Sequence, residues 1–567
     1  MSETKKQNFL HGTALLALAT AVVKVIGALY KIPLNAIIGE QGFGYFNTAY
    51  QIYNVLLMIS TAGLPVAMSR MISQASSLGN YRQVRKVYTV CRTIFLSLGL
   101  ISALLMGCFA GPLAEFMGQP NAKASIAILA PASFLICLMS TYRGFFQGQS
   151  NMAPTSTSQV LEAAVKLVVG IAAAVLLKFY FNSIPLAAGG AILGVSVSCL
   201  ISSFYLNRCY RKAIKDLPIT DEATSSGKEI AKGLLAIAIP ITIGSAGLQL
   251  LTTLETSVYM DRLLQNVNAM QELKLIEILE SYGLYHNGVL PNGDVAYLNY
   301  DFAALKQSLV DTQKGIYDMT VTIFNMPCSF ITPITISIIP AITAAITTGD
   351  HKTARATEES AVRVTALMAM PCAMGLFVLA EPVTALLGGY AGAKLVLATS
   401  LMRILSVCIV FNATVLLTNA MMQAHGHVVL PVVNMFVGGI LKLVAIFVLT
   451  GNPHIGILGT PIGSFICYVS ITVLNLISVR KVLKDPPKIL KQMLRGFLSA
   501  AIMGVFAFGA WYGLKALGLT SNLILCALPI CVGVVVYLVC AVTLKAITRE
   551  DCLLLPKGEK IAKLLHL

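Results

Sequence analysis

Charge is scarce in this chain. Asp, Glu, Lys and Arg make up 12% of its 567 residues, about half the share an ordinary soluble protein carries. That excludes a fold with a fully water-solvated surface. A cysteine framework is lacking too. The thirteen cysteines form no CxxC, and most, such as Cys137, Cys199, Cys467 and Cys531, lie inside apolar runs, where they read as small hydrophobes. There is no P-loop, which argues against ATP hydrolysis. The "HGH" of His425–His427 has no third ligand nearby in sequence, so no metal or other cofactor is expected. Acidic residues number 25 against 41 basic ones, a net charge of +16. Such an excess can mark a nucleic-acid binder, but these cations collect in alternate loops, as membrane topology requires, and no nucleic acid is expected.

What is present is hydrocarbon. Hydrophobic residues make up 56% of the chain and the mean hydropathy is +0.77. Apolar runs recur from end to end, each long enough to cross a ~30 Å hydrocarbon core as a helix. The first follows "MSETKKQNFLHG" and runs to Ile38 without a small-residue cleavage site, so it reads as a span and not a signal peptide. Fourteen spans are expected, at roughly 10–38, 43–75, 88–110, 123–143, 154–177, 184–206, 232–257, 313–347, 361–380, 394–420, 429–450, 456–479, 493–516 and 521–545. The fold class is an all-α polytopic membrane protein.

Loop charges orient these spans. Lys5 and Lys6, Arg82, Arg85 and Lys86, the Arg208–Lys228 group, Lys352 and Arg355, the Arg480–Lys491 group, and Lys545, Arg549, Lys557, Lys560 and Lys563 all fall on one side. That side is expected to be cytoplasmic, with both termini inside. The long 258–312 loop is net acidic, carrying Asp261, Glu272, Glu277, Glu280, Asp294, Asp301 and Asp311 against Arg262, Lys274 and Lys306. It is expected to form an ordered external cap, with turns at Asn287-Gly288 and Asn292-Gly293.

The chain also resembles itself. "FFQGQSNMAPTSTSQVLEAAVKLV" at 145–168 aligns with "MMQAHGHVVLPVVNMFVGGILKLV" at 421–444, an offset of 276 that pairs Gln147 with Gln423 and Lys166 with Lys442. More weakly, 43–54 aligns with 314–325. An even number of spans separates the copies, which implies a parallel repeat, a known transporter plan with substrate bound between lobes. The expected organisation is an N-lobe at 1–207, a linker at 208–231, a C-lobe at 232–480 that includes the external loop, and two further spans with a tail at 481–567.

Several charges interrupt the apolar runs. One at the bilayer centre costs about 2.5–3.5 kcal/mol on insertion scales. Lys24, Lys166 and Lys442 are therefore expected to face a polar cavity or a partner. Glu162 lies four residues before Lys166, on the same helical face, and can pair with it. Its equivalent in the second copy is Gly438. Lys31 and Arg143 either line the cavity or snorkel to an interface. A cationic cavity would attract an anion, and ammonium groups are established phosphate binders.

"VVKVIGALYKIPL", "STAGLPVAMSR", "YRGFFQGQSNMAPTSTSQVLE" and the later "KLV" together resemble the MurJ/SpoVB-type flippases of the multidrug/oligosaccharidyl-lipid/polysaccharide (MOP) exporter superfamily, in their Gram-positive-like branch. The resemblance covers essentially the whole chain. It implies a MATE-like fold of two six-helix lobes plus two C-terminal helices, in the bacterial plasma membrane. It implies translocation of undecaprenyl-diphosphate-linked peptidoglycan precursor (lipid II) from inner to outer leaflet, and no enzymatic activity. Lys24 matches a span-1 cation of the family, and Tyr30, with Lys31 beside it, stands where the next cation of the Gram-negative pattern lies. Substrate contacts are thus expected from Lys24, Lys31, Arg143, Glu162, Lys166 and Lys442. The last two spans are expected to form a groove for the polyprenyl tail. Some members hold Na⁺ in the second lobe, where Glu255 and Asn434 would be the ligands; coupling to Na⁺, H⁺ or membrane potential stays open. The expected partners are the bilayer and the lipid-linked glycan, with the chain acting as a monomer beside the cell-wall synthesis machinery. The alternatives are a flippase for another undecaprenyl-linked glycan, a MATE-type drug antiporter, whose cavity should carry carboxylates, and a membrane glycosyltransferase, which would need acids in an external loop.

Overall fold

The computed structural model describes residues 3–61, 63–218, 223–285, 302–347, 349–427, 429–483, 485–544 and 546. The expected turns at Asn287-Gly288 and Asn292-Gly293, the acids Asp294 and Asp301, and the tail cations from Lys545 onward lie outside them. Among the described residues all regular structure is helical. In chain order the helices are α1 (Glu3–Thr61), α2 (Leu64–Ser77), α3 (Tyr81–Cys108), α4 (Ala110–Phe116), α5 (Lys123–Gly148), α6 (Ala153–Phe181), α7 (Ile184–Asp216), α8 (Gly227–Asn268) and α9 (Glu272–Ser281). They continue with α10 (Phe302–Thr347), α11 (His351–Val378), α12 (Ala380–Gly388), α13 (Gly392–Ala424), α14 (Val429–Thr450), α15 (Gly459–Val482), α16 (Ile489–Ala516) and α17 (Asn522–Thr543).

Among the described residues, eleven stretches are long and apolar enough to cross a membrane. The first covers 56 residues, which at 1.5 Å per residue suffices for two crossings. It breaks at Gly39, whose φ of 70° and ψ of 178° lie outside helical geometry. The 42-residue α8 and the 46-residue α10 occupy the seventh and eighth expected spans. Every expected span thus falls on helix, although the second, 43–75, is divided between α1 and α2. The difference lies at the ends. The 258–312 stretch is largely not loop, because α8 runs on to Asn268, α9 follows, and α10 begins at Phe302. Loss of hydropathy does not stop a helix; only a breaker or a cap does.

The stops are built alike in the two halves. Gly79 (φ 77°) closes α2 and Gly349 (φ 76°) closes α10 in the left-handed conformation that favours glycine. The next amides, Asn80 N–H and Asp350 N–H, each donate to a carbonyl five residues back, Ala75 and Ala345, both at 3.0 Å. Asn80 and Asp350 then cap α3 and α11 by accepting from Gln83 N–H and Thr353 N–H. These positions are offset by 270. The later turns keep the 276 offset: α5 ends at Gly148 and α13 at Ala424, while α6 begins at Ala153 and α14 at Val429. Asn151 N–H donates to Phe146 and His427 N–H to Met422, both at 2.9 Å.

The chain divides into two compact units, Met1–Asp261 and Arg262–Leu567. Most of α8 falls in the first, although the sequence repeat assigns that helix to the second lobe. In the first unit α6 and α7 approach most closely, through small residues. A Cβ on Gly194 would lie 2.4 Å from the Gly170 Cα, so the two backbones touch there. α3 holds the end of α7 and the segment entering α8: Arg85 donates to the Ile214 and Leu217 carbonyls at 3.2 and 2.9 Å, and Lys86 Nζ to Thr224 Oγ1 at 3.1 Å. Ser226 and Glu229 cap the start of α8 reciprocally.

Candidate functional site

In the first unit one stripe of α6 is polar. Ser158, Glu162 and Lys166 stand at successive four-residue steps, so they share a face. Arg143 of α5 reaches across to it. Its Nε donates to Ser158 Oγ at 3.1 Å, and its Nη2 lies 2.9 Å from Glu162 Oε2. The guanidinium fork thereby spans one helical turn of α6. The pair is largely buried, at 14% and 24% side-chain exposure. The expected Glu162 partner was Lys166; the ion pair forms with Arg143 instead, although Glu162 still acts electrostatically on Lys166. A rigid fork from a neighbouring helix reaches two acceptors at once, which an ammonium one turn away on the same helix does not.

Lys166 Nζ lies 5.7 Å from the centroid of the Tyr30 ring, within reach of its negative face. Tyr30 is 1% exposed, and its hydroxyl donates to the Ala191 carbonyl of α7 at 3.0 Å. Gly170 makes room for it, since a Cβ there would fall 2.7 Å from the Tyr30 hydroxyl. Beyond Tyr30 the rings of Phe46, Tyr50 and Tyr53 follow at centroid spacings of 5.8, 4.8 and 6.0 Å, and Glu162 acts on Tyr50 and Tyr53 as well. This aromatic wall is a part of the site that residue-by-residue reading of charges missed. Its signal was "YFNTAYQIYN", whose aromatics recur at three- and four-residue steps.

The other expected residues are placed as follows. Lys31 Nζ approaches Asn47 Oδ1 at 3.5 Å across the Gly39 break. Lys24 is exposed on α1. In the second unit Lys442 is half-buried on α14 and acts electrostatically on Tyr468 of α15 and Cys408 of α13. Glu255 is buried in the first unit and Asn434 in the second. Asn434 Nδ2 donates to Asn475 Oδ1 at 2.9 Å and to Ser478 Oγ at 3.2 Å. Asn475 Nδ2 in turn donates to Asn419 Oδ1 at 2.8 Å and Thr418 Oγ1 at 2.9 Å. With the 276 offset, Asn419 and Asn434 stand where Arg143 and Ser158 stand in the first copy. One position pair is thus charged in one unit and a neutral amide network in the other.

The second unit also holds an apolar cavity of about 360 Å³ between α11–α12 and α16–α17, lined by Leu376, Val383, Met503, Pro529, Val534 and Leu538 among others. Charged bonds pin α16 at both ends beside it. Arg355 pairs with Glu359 and Asp485, Glu359 accepts from Gln492, and Lys515 Nζ lies 2.8 Å from Glu381 Oε1.

Comparison with known proteins places this architecture. Residues 9–346 match the family model described as polysaccharide biosynthesis protein, and a second model with that description matches 305–392. The stage V sporulation protein B of Bacillus subtilis (strain 168) is 28% identical over 89% of this chain and 91% of that protein. The lipid II flippase MurJ of the same organism is 24% identical over 77% and 76%. Among solved structures, an inward closed lipid II flippase MurJ superposes with a TM-score of 0.61 at 14% identity, covering 93% of this chain and 98% of that one. An inward-facing MATE multidrug transporter of the MOP superfamily gives 0.59 at 14%, covering 86% and 98%. Of these relatives, MurJ is named a flippase and the MATE protein a transporter. The chain therefore belongs to the polysaccharide biosynthesis protein family, as a multi-pass membrane protein similar in sequence to SpoVB and MurJ and sharing the fold of the MurJ and MATE structures.

Proposed function

We propose that this protein is an alternating-access flippase that moves undecaprenyl-diphosphate-linked peptidoglycan precursor, lipid II, from the inner to the outer leaflet. The observation that carries the reading is the charge balance on α6 and its neighbours. Arg143 and Lys166 share one carboxylate, Glu162, inside a segment where each charge is expensive. The surplus is positive, which suits a diphosphate. A drug-cation antiporter would need the opposite sign. Lys24 and Lys31 on α1 and Lys442 on α14 add cations at membrane depth. The apolar cavity beside α16 and α17 has the chemistry for a polyprenyl chain.

A second reading, a flippase for another undecaprenyl-linked glycan, is favoured by the family description, which names polysaccharide and not peptidoglycan. Both readings share the diphosphate. The test is translocation in proteoliposomes of fluorescent undecaprenyl-diphosphate carrying either the peptidoglycan disaccharide-peptide or another glycan. Lys24→Ala and Lys442→Ala should each slow transport. Wild-type rates in both, with folding intact, would remove the cationic reading, and the donor that moves fastest identifies the glycan. Repeating the assay under imposed Na⁺, H⁺ and electrical gradients identifies the coupling.

A further inference from the structure

The "HGH" turn has no part in the proposed transport site, yet one of its histidines is engaged. His425 closes α13, and its Nε2 lies 2.8 Å from Glu358 Oε1, two turns into α11. The Glu358 side chain is 2% exposed and that of His425 17%. They border a cavity of about 240 Å³, shared with Ile346 of α10, His351 and Arg355 of α11, Val482 of α15, and Asp485. A carboxylate this buried requires a compensating charge or a proton. Arg355 is the nearest permanent cation on the same helix, but it is bonded to Glu359 at 3.2 Å and to Asp485. Glu359 faces away, toward Gln492 and the Lys488 backbone N–H. Arg480 and Lys481, in the last turn of α15, are exposed. The group in contact with Glu358 is therefore an imidazole, whose charge changes between pH 5 and 8.

We propose that His425 and Glu358 form a proton-operated latch. With His425 protonated, the imidazolium neutralises the buried carboxylate and holds the last turn of α13 against α11. Once His425 loses its proton, the carboxylate keeps a hydrogen bond but loses its counter-charge. The turn that carries Gly426 and His427 then opens. On the inside-positive reading this end faces the cytoplasm, so the latch reports cytoplasmic pH to the second unit.

The test is amide hydrogen exchange of the full-length protein in nanodiscs, followed from mildly acidic to mildly basic pH and corrected for intrinsic exchange. The reporters are the amides of His425, Gly426 and His427, which close the turn on the carbonyls of Met421, Gln423 and Met422. Wild type should lose protection there as pH rises. His425→Lys, with a permanent cation, should stay protected at every pH. His425→Gln should be open at every pH, and His427→Gln should behave as wild type. Protection in the wild type that does not vary with pH would overturn the latch, and so would an unchanged pH slope in His425→Lys. The wild-type measurement decides even where a variant fails to fold.

Discussion

Arg143 takes the carboxylate that lies one turn from Lys166: its Nη2 is 2.9 Å from Glu162 Oε2. Lys166 is turned to the face of Tyr30 instead. Removing either partner breaks a largely buried pair, leaving Arg143 without its carboxylate or Glu162 with Lys166 alone. Arg143→Ala should cost about 3–5 kcal/mol, the usual result of breaking a buried pair from one side. Thermal unfolding in detergent reads this as a lower Tm, and Glu162→Gln in the Arg143→Ala background should recover most of it. No recovery would mean that the pair contributes little.

Tyr30 has two separable roles. Tyr30→Phe loses only the hydroxyl bond to Ala191, a change of about 1 kcal/mol. Tyr30→Leu also loses the ring beneath Lys166, a further 0.5–2 kcal/mol or so. If the ring positions Lys166 for the diphosphate, transport should be near normal in Tyr30→Phe and impaired in Tyr30→Leu. Equal rates in the two variants would refute that role.

Gly194→Ala should be poorly tolerated. The added methyl would sit 2.4 Å from the Gly170 Cα, where only backbone can yield. Overpacking of this kind costs about 1–3 kcal/mol or more. The expected outcome is low yield and a lower Tm, whereas Gly509→Ala, with open space around it, should resemble wild type.

Asp485 supplies a pH prediction. The Arg355 side chain beside it holds its carboxyl below the usual carboxylate value. A depressed folded-state pKa contributes stability above the unfolded value, near 3.9, which is lost as pH falls through the folded one. The α15–α16 connection should therefore be protease-resistant at neutral pH and loosen only in strong acid. Because Asp485 is exposed, added salt should weaken the bond as well. Asp485→Asn should show the acid phenotype at neutral pH.

The fold was legible because hydrocarbon thickness sets a minimum length for each span, and eleven stretches of the described residues meet it. Helix ends were less legible. α8 and α10 continue past their apolar windows because nothing between 258 and 268, or between 302 and 312, breaks a helix. The Arg143–Ser158 contact was also readable in principle. The two residues lie equally far on either side of the short 149–152 turn, so an antiparallel hairpin must bring them together, and Asn419 and Asn434 repeat the relation around the second turn. Tyr30 was not readable in this way. Its ring meets Lys166 only through tertiary packing of α1 on α6 and α7, which no local pattern encodes.

The matching punctuation has a practical consequence. The offset between the copies changes from 270 at the Gly79 and Gly349 turns to 276 at the turns after α5 and α13. The six added residues are absorbed at the other end of the helices, where α12 and the start of α13 are longer than α4 and the start of α5. Duplication therefore tolerated length change at one end and kept residue-for-residue register at the other. Epitope tags or reporter domains belong at Pro120–Asn121, which are exposed, and not at the buried Met117, Gln119, Ala122 or Tyr390 beside these turns; the Gly79–Asn80 and Gly349–Asp350 corners should be left intact.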